Sequence, residues 1–300
     1  MELIVHQSIS DLYRALHLPI EQDLEFTIHF LPDIHPTIPF RSPVFRAEYF
    51  SFVFIKDGKG TYTTDEQMFP TVPGTIYFTN PGHIKAFQID ELRDAYIITL
   101  TETFLKENVH ANIFLEFPFL LAETVPPKVL DPDDFAEFEA IYLQLFKEFN
   151  KQSTYKNRIL GNLFVVLLLK IKEQFWQDYN PIEEGDRHSQ IVRAFKKKLE
   201  EHYLKANIAE GIVYNLQIAD FADALHLHPN YLNQLIKSKT GKTVHQWITD
   251  KAISQAKSLL KNTSLSAKEI AHRLGYSEAT HFSRFFKKHA KMTPSAYRKK

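Results

Sequence analysis

The chain contains no cysteine, which excludes disulfides, thiolate metal sites and thiol nucleophiles. It carries no net charge either: 36 Lys and Arg balance 36 Asp and Glu over 300 residues. Taken alone, that balance argues against a nucleic-acid binder. No glycine-rich loop able to cradle a phosphate occurs, and no Ser, His and Asp set can be assembled into a nucleophilic triad. The longest apolar run, Leu163 to Leu169, is too short to cross a bilayer. The first residues lack the basic and apolar regions of a secretion signal. A soluble, cytoplasmic protein is expected. The length is enough for two domains of ordinary size, each with its own core.

The zero charge is a cancellation. Residues 187–300 hold 21 Lys and Arg against 8 Asp and Glu, an excess of +13, which leaves 15 against 28, or −13, for residues 1–186. A basic C-terminal part is the electrostatic footprint of a protein that holds a phosphate backbone.

Within that basic part, LSAKEIAHRLGYSEATHFSRFFKKHAKMTPSAY runs from Leu265 to Tyr297. Ser266 and Glu269 have capping-box spacing, so each side chain satisfies a backbone donor left open at a helix start. Ile270, Ala271 and Leu274 fall on one helical face, and Gly275 stands where a left-handed residue ends a helix. Ser277 is placed to cap a second helix whose apolar face is Phe282, Phe285 and Phe286. Two short helices joined by such a turn make a helix-turn-helix. The stretch Leu216 to Thr243 repeats the grammar: Asp220, Phe221 and Ala222 match Glu269, Ile270 and Ala271, and Leu232, Leu235 and Ile236 match the three phenylalanines. Self-similarity at a fixed period of about 50 residues marks a repeated structural unit. Between the copies, Val244 to Lys261 reads as one long helix able to hold recognition helices about 34 Å apart, one per major groove.

The runs AKEIAHRLGYS, HFSRFFKK and MTPSAYR resemble the signature of AraC/XylS-type transcriptional regulators over roughly the last 110 residues. The resemblance implies sequence-specific binding to double-stranded DNA, with RNA polymerase a further partner if the protein activates. There are two departures: Ala290-Lys291 and His226 stand where the family usually has turn glycines. The resemblance points Ala279, Thr280, Ser283 and Arg284 of the second unit into the major groove, and Asn230, Tyr231, Asn233 and Gln234 of the first. Asn and Gln can bond adenine bidentately and Arg can do so with guanine. Lys237, Lys287, Lys288 and Lys196 to Lys198 are the candidates for phosphate contacts. His226 and His228 have metal-like spacing, but their place in a turn beside Pro229 points to a structural role.

The acidic part begins with strand-like sequence. Aromatic and β-branched residues from Phe45 to Thr64 flank Asp57-Gly58-Lys59-Gly60, a hairpin-type signal. Pro73-Gly74 and Pro81-Gly82 mark further turns, and Ala95 to Thr101 reads as another strand. Short aromatic strands between such turns suggest a small β-barrel or jelly roll. The VPGTIYFTNPGH run resembles the second half of a cupin barrel, the sensor domain of many AraC-type regulators. That implies a small-molecule effector, with Phe52, Phe54, Tyr62, Tyr77 and His83 as candidate lining. A cupin-type metal-dependent enzyme with a helical appendage is the competing reading. The strand Arg46 to Phe50 offers Glu48 but no His, and one His with one Glu makes a poor metal site. No cofactor and no metal are expected. A barrel that serves only protein–protein contact is a third reading.

After Pro126-Pro127, Asp131 or Asp133 can cap a helix carrying Phe135, Phe138, Ile141, Tyr142, Leu145, Phe146 and Phe149. A second helix, Tyr155 to Trp176, is apolar almost all round and must be buried on most sides. The pair either packs on its own barrel or carries a homodimer contact, with Leu167 at its centre. Residues 180–186 read as a linker, and Ile191 to Leu204 as the first helix of the basic domain. The whole is read as α+β: a cupin-like sensor over 1–126, a helical dimerisation segment over 127–180 and an all-α double helix-turn-helix domain over 187–300.

Overall fold

The computed structural model describes residues 3–20, 24–65, 67–110, 112–121, 125–175, 187–207 and 216–299. Trp176, the linker 180–186 and most of the expected joint at 179–188 lie outside the described residues. Two compact units form, Met1–Phe104 with Ala122–Glu184, and Leu105–Leu121 with Gly185–Lys300.

The chain opens with β1 (Ile4–His6), α1 (Ile9–Ala15), β2 (Phe26–Phe30), α2 (Leu31–Ile34), β3 (Phe40–Arg41) and β4 (Phe45–Ala47). Then come β5 (Phe50–Thr64), β6 (Gln67–Thr71), β7 (Thr75–Thr79) and β8 (Ile84–Leu100). Helices α3 (Glu102–Asn108) and α4 (Ile113–Glu116), the short β9 (Lys128–Val129), α5 (Pro132–Phe149) and α6 (Lys156–Phe175) follow. The described strands form one sheet built on two long members. β5 pairs antiparallel with β8 along most of its length, β8 also bonds β2, β3 and β4, and β5 bonds β6 and β7.

The hairpin expected at Asp57–Gly60 does not form. β5 runs through those residues, with register shifts between Ile55 and Asp57, Asp57 and Gly58, and Lys59 and Gly60. A Cβ on Gly60 would stand 2.1 Å from the Gln88 carbonyl oxygen. The glycine there lets two backbones approach at a bulge and does not reverse the chain. Reversal comes at Asp65, with φ 52°, and at Gly74 and Gly82, with φ 84° and 94°, where the Pro-Gly signals place it.

Side chains alternate across a strand, which gives the sheet two unlike faces. Phe52, Phe54 and Phe78 stand under α5 and α6. Phe52 meets Phe164 at 5.0 Å between ring centroids and Phe54 meets Tyr142 at 5.4 Å. Asp131 caps α5, its Oδ1 accepting from the Asp134 amide at 2.9 Å. Leu160, Phe164, Leu167, Leu168 and Ile171 form the buried side of α6. Leu167, expected between two chains, is 0 % exposed within one. One side of the apolar middle of this helix is covered by its own chain, while Val166 and Leu169 stay exposed.

The second unit is helical beyond residue 187: α7 (Arg187–Leu204), α8 (Ile218–Ala224), α9 (Pro229–Thr240), α10 (Val244–Asn262), α11 (Ala267–Arg273), α12 (Ala279–Ala290) and α13 (Pro294–Lys299). Phe195, Leu199, Phe221, Leu232, Ile236, Leu259, Ile270, Phe282 and Phe286 share one core. Phe285 is partly buried at its edge.

Candidate functional site

The two helix pairs, α8 with α9 and α11 with α12, share a plan. Each begins with a capping box, Gln217 with Asp220 and Ser266 with Glu269. Each turns through one left-handed residue, His226 at φ 55° and Gly275 at φ 80°. Each long helix also ends on one, Gly241 at φ 81° and Lys291 at φ 60°. The left-handed geometry therefore holds at all four positions even where glycine is missing. His228 caps α9, its Nδ1 accepting from the Asn230 amide at 3.2 Å, so the His226/His228 pair serves the turn. The N-cap of α12 is Glu278, without a side-chain bond, in place of the expected Ser277.

Burial of Leu232 and Ile236 leaves Asn230, Tyr231, Gln234 and Lys237 exposed on α9. Burial of Phe282 and Phe286 leaves Thr280, Arg284, Lys287 and Lys288 exposed on α12, with Ser283 half-buried. Ala279 packs against the core. Asn233 is half-buried and already occupied, since its Oδ1 accepts from the Val244 amide at 3.1 Å and ties α9 to the start of α10. Among the three lysines of α7, Lys197 and Lys198 are exposed. Lys196 is buried, with its Nζ 5.4 Å from the Trp247 ring centroid. Its ammonium lies over the indole, inside the domain and away from the exposed face that carries Lys197 and Lys198.

In the first unit a cavity of about 110 Å³ lies on the face of the sheet opposite α5 and α6. Tyr49, Ser51, Val53 and Ile55 of the β5 side line it, with Tyr77 and Thr79 of β7, Lys85 and Phe87 of β8, and Leu12, Leu31 and Ile34 from α1 and α2. Of the five candidate lining residues, Tyr62 and Tyr77 reach the cavity, stacked at 4.4 Å. Burial pushes both phenols far above their ordinary range. Phe52 and Phe54 do not reach it, because period-two alternation turns them to the helices. His83 does not reach it either. It is buried, with Nδ1 2.8 Å from Asp65 Oδ2, while Asp65 Oδ1 accepts from the Ile84 amide. It fastens the β5–β6 turn to the start of β8. Among the described residues, no group of three or more His, Cys, Asp or Glu is gathered as metal ligands would be.

Sequence reading missed Tyr49, Val53 and above all Lys85, a buried lysine whose Nζ donates to Thr79 Oγ1 at 2.5 Å. A signal existed: Lys85, Phe87 and Ile89 share one side of an alternating strand, so the lysine falls on an apolar face. The Nε2 of His29 is 2.8 Å from the Tyr13 hydroxyl at the same cavity, and burial lowers its pKa.

Residues 221–300 match the family described as a helix-turn-helix domain. The chain is 22% identical to the HTH-type transcriptional regulator YfiF of Bacillus subtilis, over 96% of this chain and 88% of that protein. It is 25% identical to the arabinose operon regulatory protein of Escherichia coli, over 80% of this chain and 77% of that one. The C-terminal domain of AraT, a response regulator from Geobacillus stearothermophilus, is 31% identical over 38% of this chain and 88% of that chain, with a TM-score of 0.33. No helix among the described residues is long and apolar enough to cross a membrane. With its repeated helix pairs, matched domain and regulator relatives, the chain is a DNA-binding transcription regulator that resembles those of the AraC type.

Proposed function

We propose that the first unit is a cupin-like sensor. On this reading its cavity takes a small organic effector, and the occupied state changes how the two helix-turn-helix pairs hold their DNA site. The observation that carries the proposal is the cavity itself, apolar for the most part and floored by stacked tyrosines. Such a concave pocket with a few polar groups suits a small ligand better than a protein surface. Asn230, Tyr231 and Gln234 on α9, with Thr280, Ser283 and Arg284 on α12, read base edges. Lys237, Lys287 and Lys288 hold phosphates, joined by Lys197 and Lys198. Asn233 and Ala279 position these helices.

The protein acts in the cytoplasm as a homodimer, without catalysis, and engages RNA polymerase if it activates. Tyr155, just before α6, and Ile159, Asn162, Val166 and Leu169 on it are all exposed, and they recur at alternating steps of four and three, the spacing of a helix seam. This stripe, and not Leu167, is the proposed dimer contact.

The test begins with selection of DNA from a random pool by the full chain, followed by affinity measurements with and without candidate metabolites. Each neutralised phosphate should add about 0.9 to the log–log salt slope. Affinity independent of salt, or no sequence preference in the selected pool, would end this reading.

A further inference from the structure

The cavity of the first unit holds one cation deep in its wall. Lys85 is 4 % exposed, and it pairs in register with Phe45 on β4 and Thr64 on β5. Its Nζ donates to Thr79 Oγ1 and lies 6.0 Å from the Tyr49 ring centroid. Among the described residues no carboxylate stands within ion-pairing distance of it, although Glu48 and Asp65 are near enough to favour its charge. Burial drives its pKa down to about 7. A buried ammonium without a counterion is costly, and a fold that keeps one at a cavity wall has a place for an anion.

We propose that Lys85 anchors the effector, and that the effector is a monocarboxylate with a compact, mainly apolar body. This rests on the sensor reading above. Charge sets the head group, because the one buried cation balances one carboxylate, whereas a phosphate dianion would bring a second charge and the other lining lysine, Lys59, already pairs with Glu91 at 3.4 Å. The wall sets the body. Most of it is carbon from Val53, Phe87, Tyr62 and Tyr77, which would leave the many hydroxyls of a sugar short of partners. Size agrees, since about 110 Å³ is comparable with engineered apolar cavities of about 150 Å³ that hold one benzene.

The experiment is calorimetric titration of the full chain at pH 7 with benzoate and with its neutral isostere benzamide. Benzoate should bind about tenfold tighter or more, the range of a charge-assisted hydrogen bond. Lys85→Met should abolish that preference while still binding benzamide, and Lys85→Gln serves the same end if the methionine variant does not fold. No binding of benzoate, equal binding of the two probes, or a preference that survives loss of the ammonium would each overturn the assignment. The sensor reading fails separately. Benzoate bound through Lys85 with no change in affinity for the selected DNA would remove that reading and leave this assignment standing. A neutral sugar that shifts DNA affinity where benzoate does not bind would do the reverse.

Discussion

Asn233 and Gln234 are neighbours on α9, yet replacing each with alanine should have opposite consequences. Asn233 Oδ1 accepts from the amide of Val244, a residue 0 % exposed at the first position of α10. Removing that acceptor leaves a buried donor unmet, worth about 1–3 kcal/mol, or several degrees in melting temperature for a unit of this size. Gln234 is exposed, so Gln234→Ala should move stability by no more than about 0.5 kcal/mol. Its expected loss is in base discrimination, about 1–3 kcal/mol at one base pair of the site, or roughly 5- to 150-fold. Thermal melting of both variants measures the first quantity. Fluorescence anisotropy against single-base substitutions of a DNA site recovered from a random pool measures the second. If Gln234→Ala weakens binding to every sequence equally, or lowers the melting temperature as Asn233→Ala does, the side chain is structural and the base-reading assignment is wrong.

Three further outcomes follow from local geometry. Lys291 and His226 hold left-handed backbone at φ 60° and 55°, so Lys291→Gly and His226→Gly should each stabilise the second unit. The gain is about 0.5–1 kcal/mol, because relief of Cβ crowding outweighs the extra freedom of glycine in the unfolded chain; unchanged urea midpoints would show the turns are not strained. Leu167→Ala should destabilise the first unit by about 2–5 kcal/mol without changing its oligomeric state, whereas Leu169→Glu, at a site 47 % exposed, should yield folded monomers in sedimentation. Finally, folded Lys85 loses its proton near pH 7 but the unfolded chain keeps it until about 10.5. Unfolding between those values takes up a proton, so wild-type stability should rise with pH relative to Lys85→Met; a flat difference from pH 7 to 10 would refute the buried-amine reading.

The C-terminal unit was legible in sequence because its signals are local. Ser266 and Glu269, Gly275, and the spacing of Phe282 and Phe286 each act within four residues, and each appears where expected. The sheet was less legible. Asp57-Gly58-Lys59-Gly60 has the composition of a reversal, but a bulge calls for glycine for a different reason, the approach of a strand some 30 residues away in sequence. Alternation predicted that half of the aromatics face inward and could not say which side is inward, because both faces of this sheet are covered. Phe52 and Phe54 therefore fell on the helix side and Val53 and Tyr77 on the cavity side. For α6, an all-round apolar pattern predicted burial on most sides, whereas the structure buries one side and leaves Val166 and Leu169 exposed.

One site in the second unit left no local sign at all. Leu105–Leu121 groups with the C-terminal helices, and there Lys106 Nζ lies 3.5 Å from Glu200 Oε2, while Lys251 Nζ bonds the other oxygen. All three side chains are at most 4 % exposed, and both ammonium groups lie over the Phe114 ring, at 5.8 and 4.6 Å. Ser258 and Asn262 donate to the Lys106 carbonyl, and the Tyr297 hydroxyl donates to the Glu107 carboxylate. Taking three charges out of water costs several kcal/mol per ion, so such a cluster adds little net stability and instead fixes where the segment fits. The carboxylate is the member that matters most, because both buried ammonium groups meet it and its loss removes the negative charge they share. Glu200→Gln should therefore destabilise the protein by about 3–5 kcal/mol. Glu201→Gln, next along the same helix but exposed and 3.8 Å from Lys197, should shift it by less than about 0.5 kcal/mol. Urea unfolding of the two variants decides the matter, and equal midpoints would mean that the cluster opens to water and holds nothing in place.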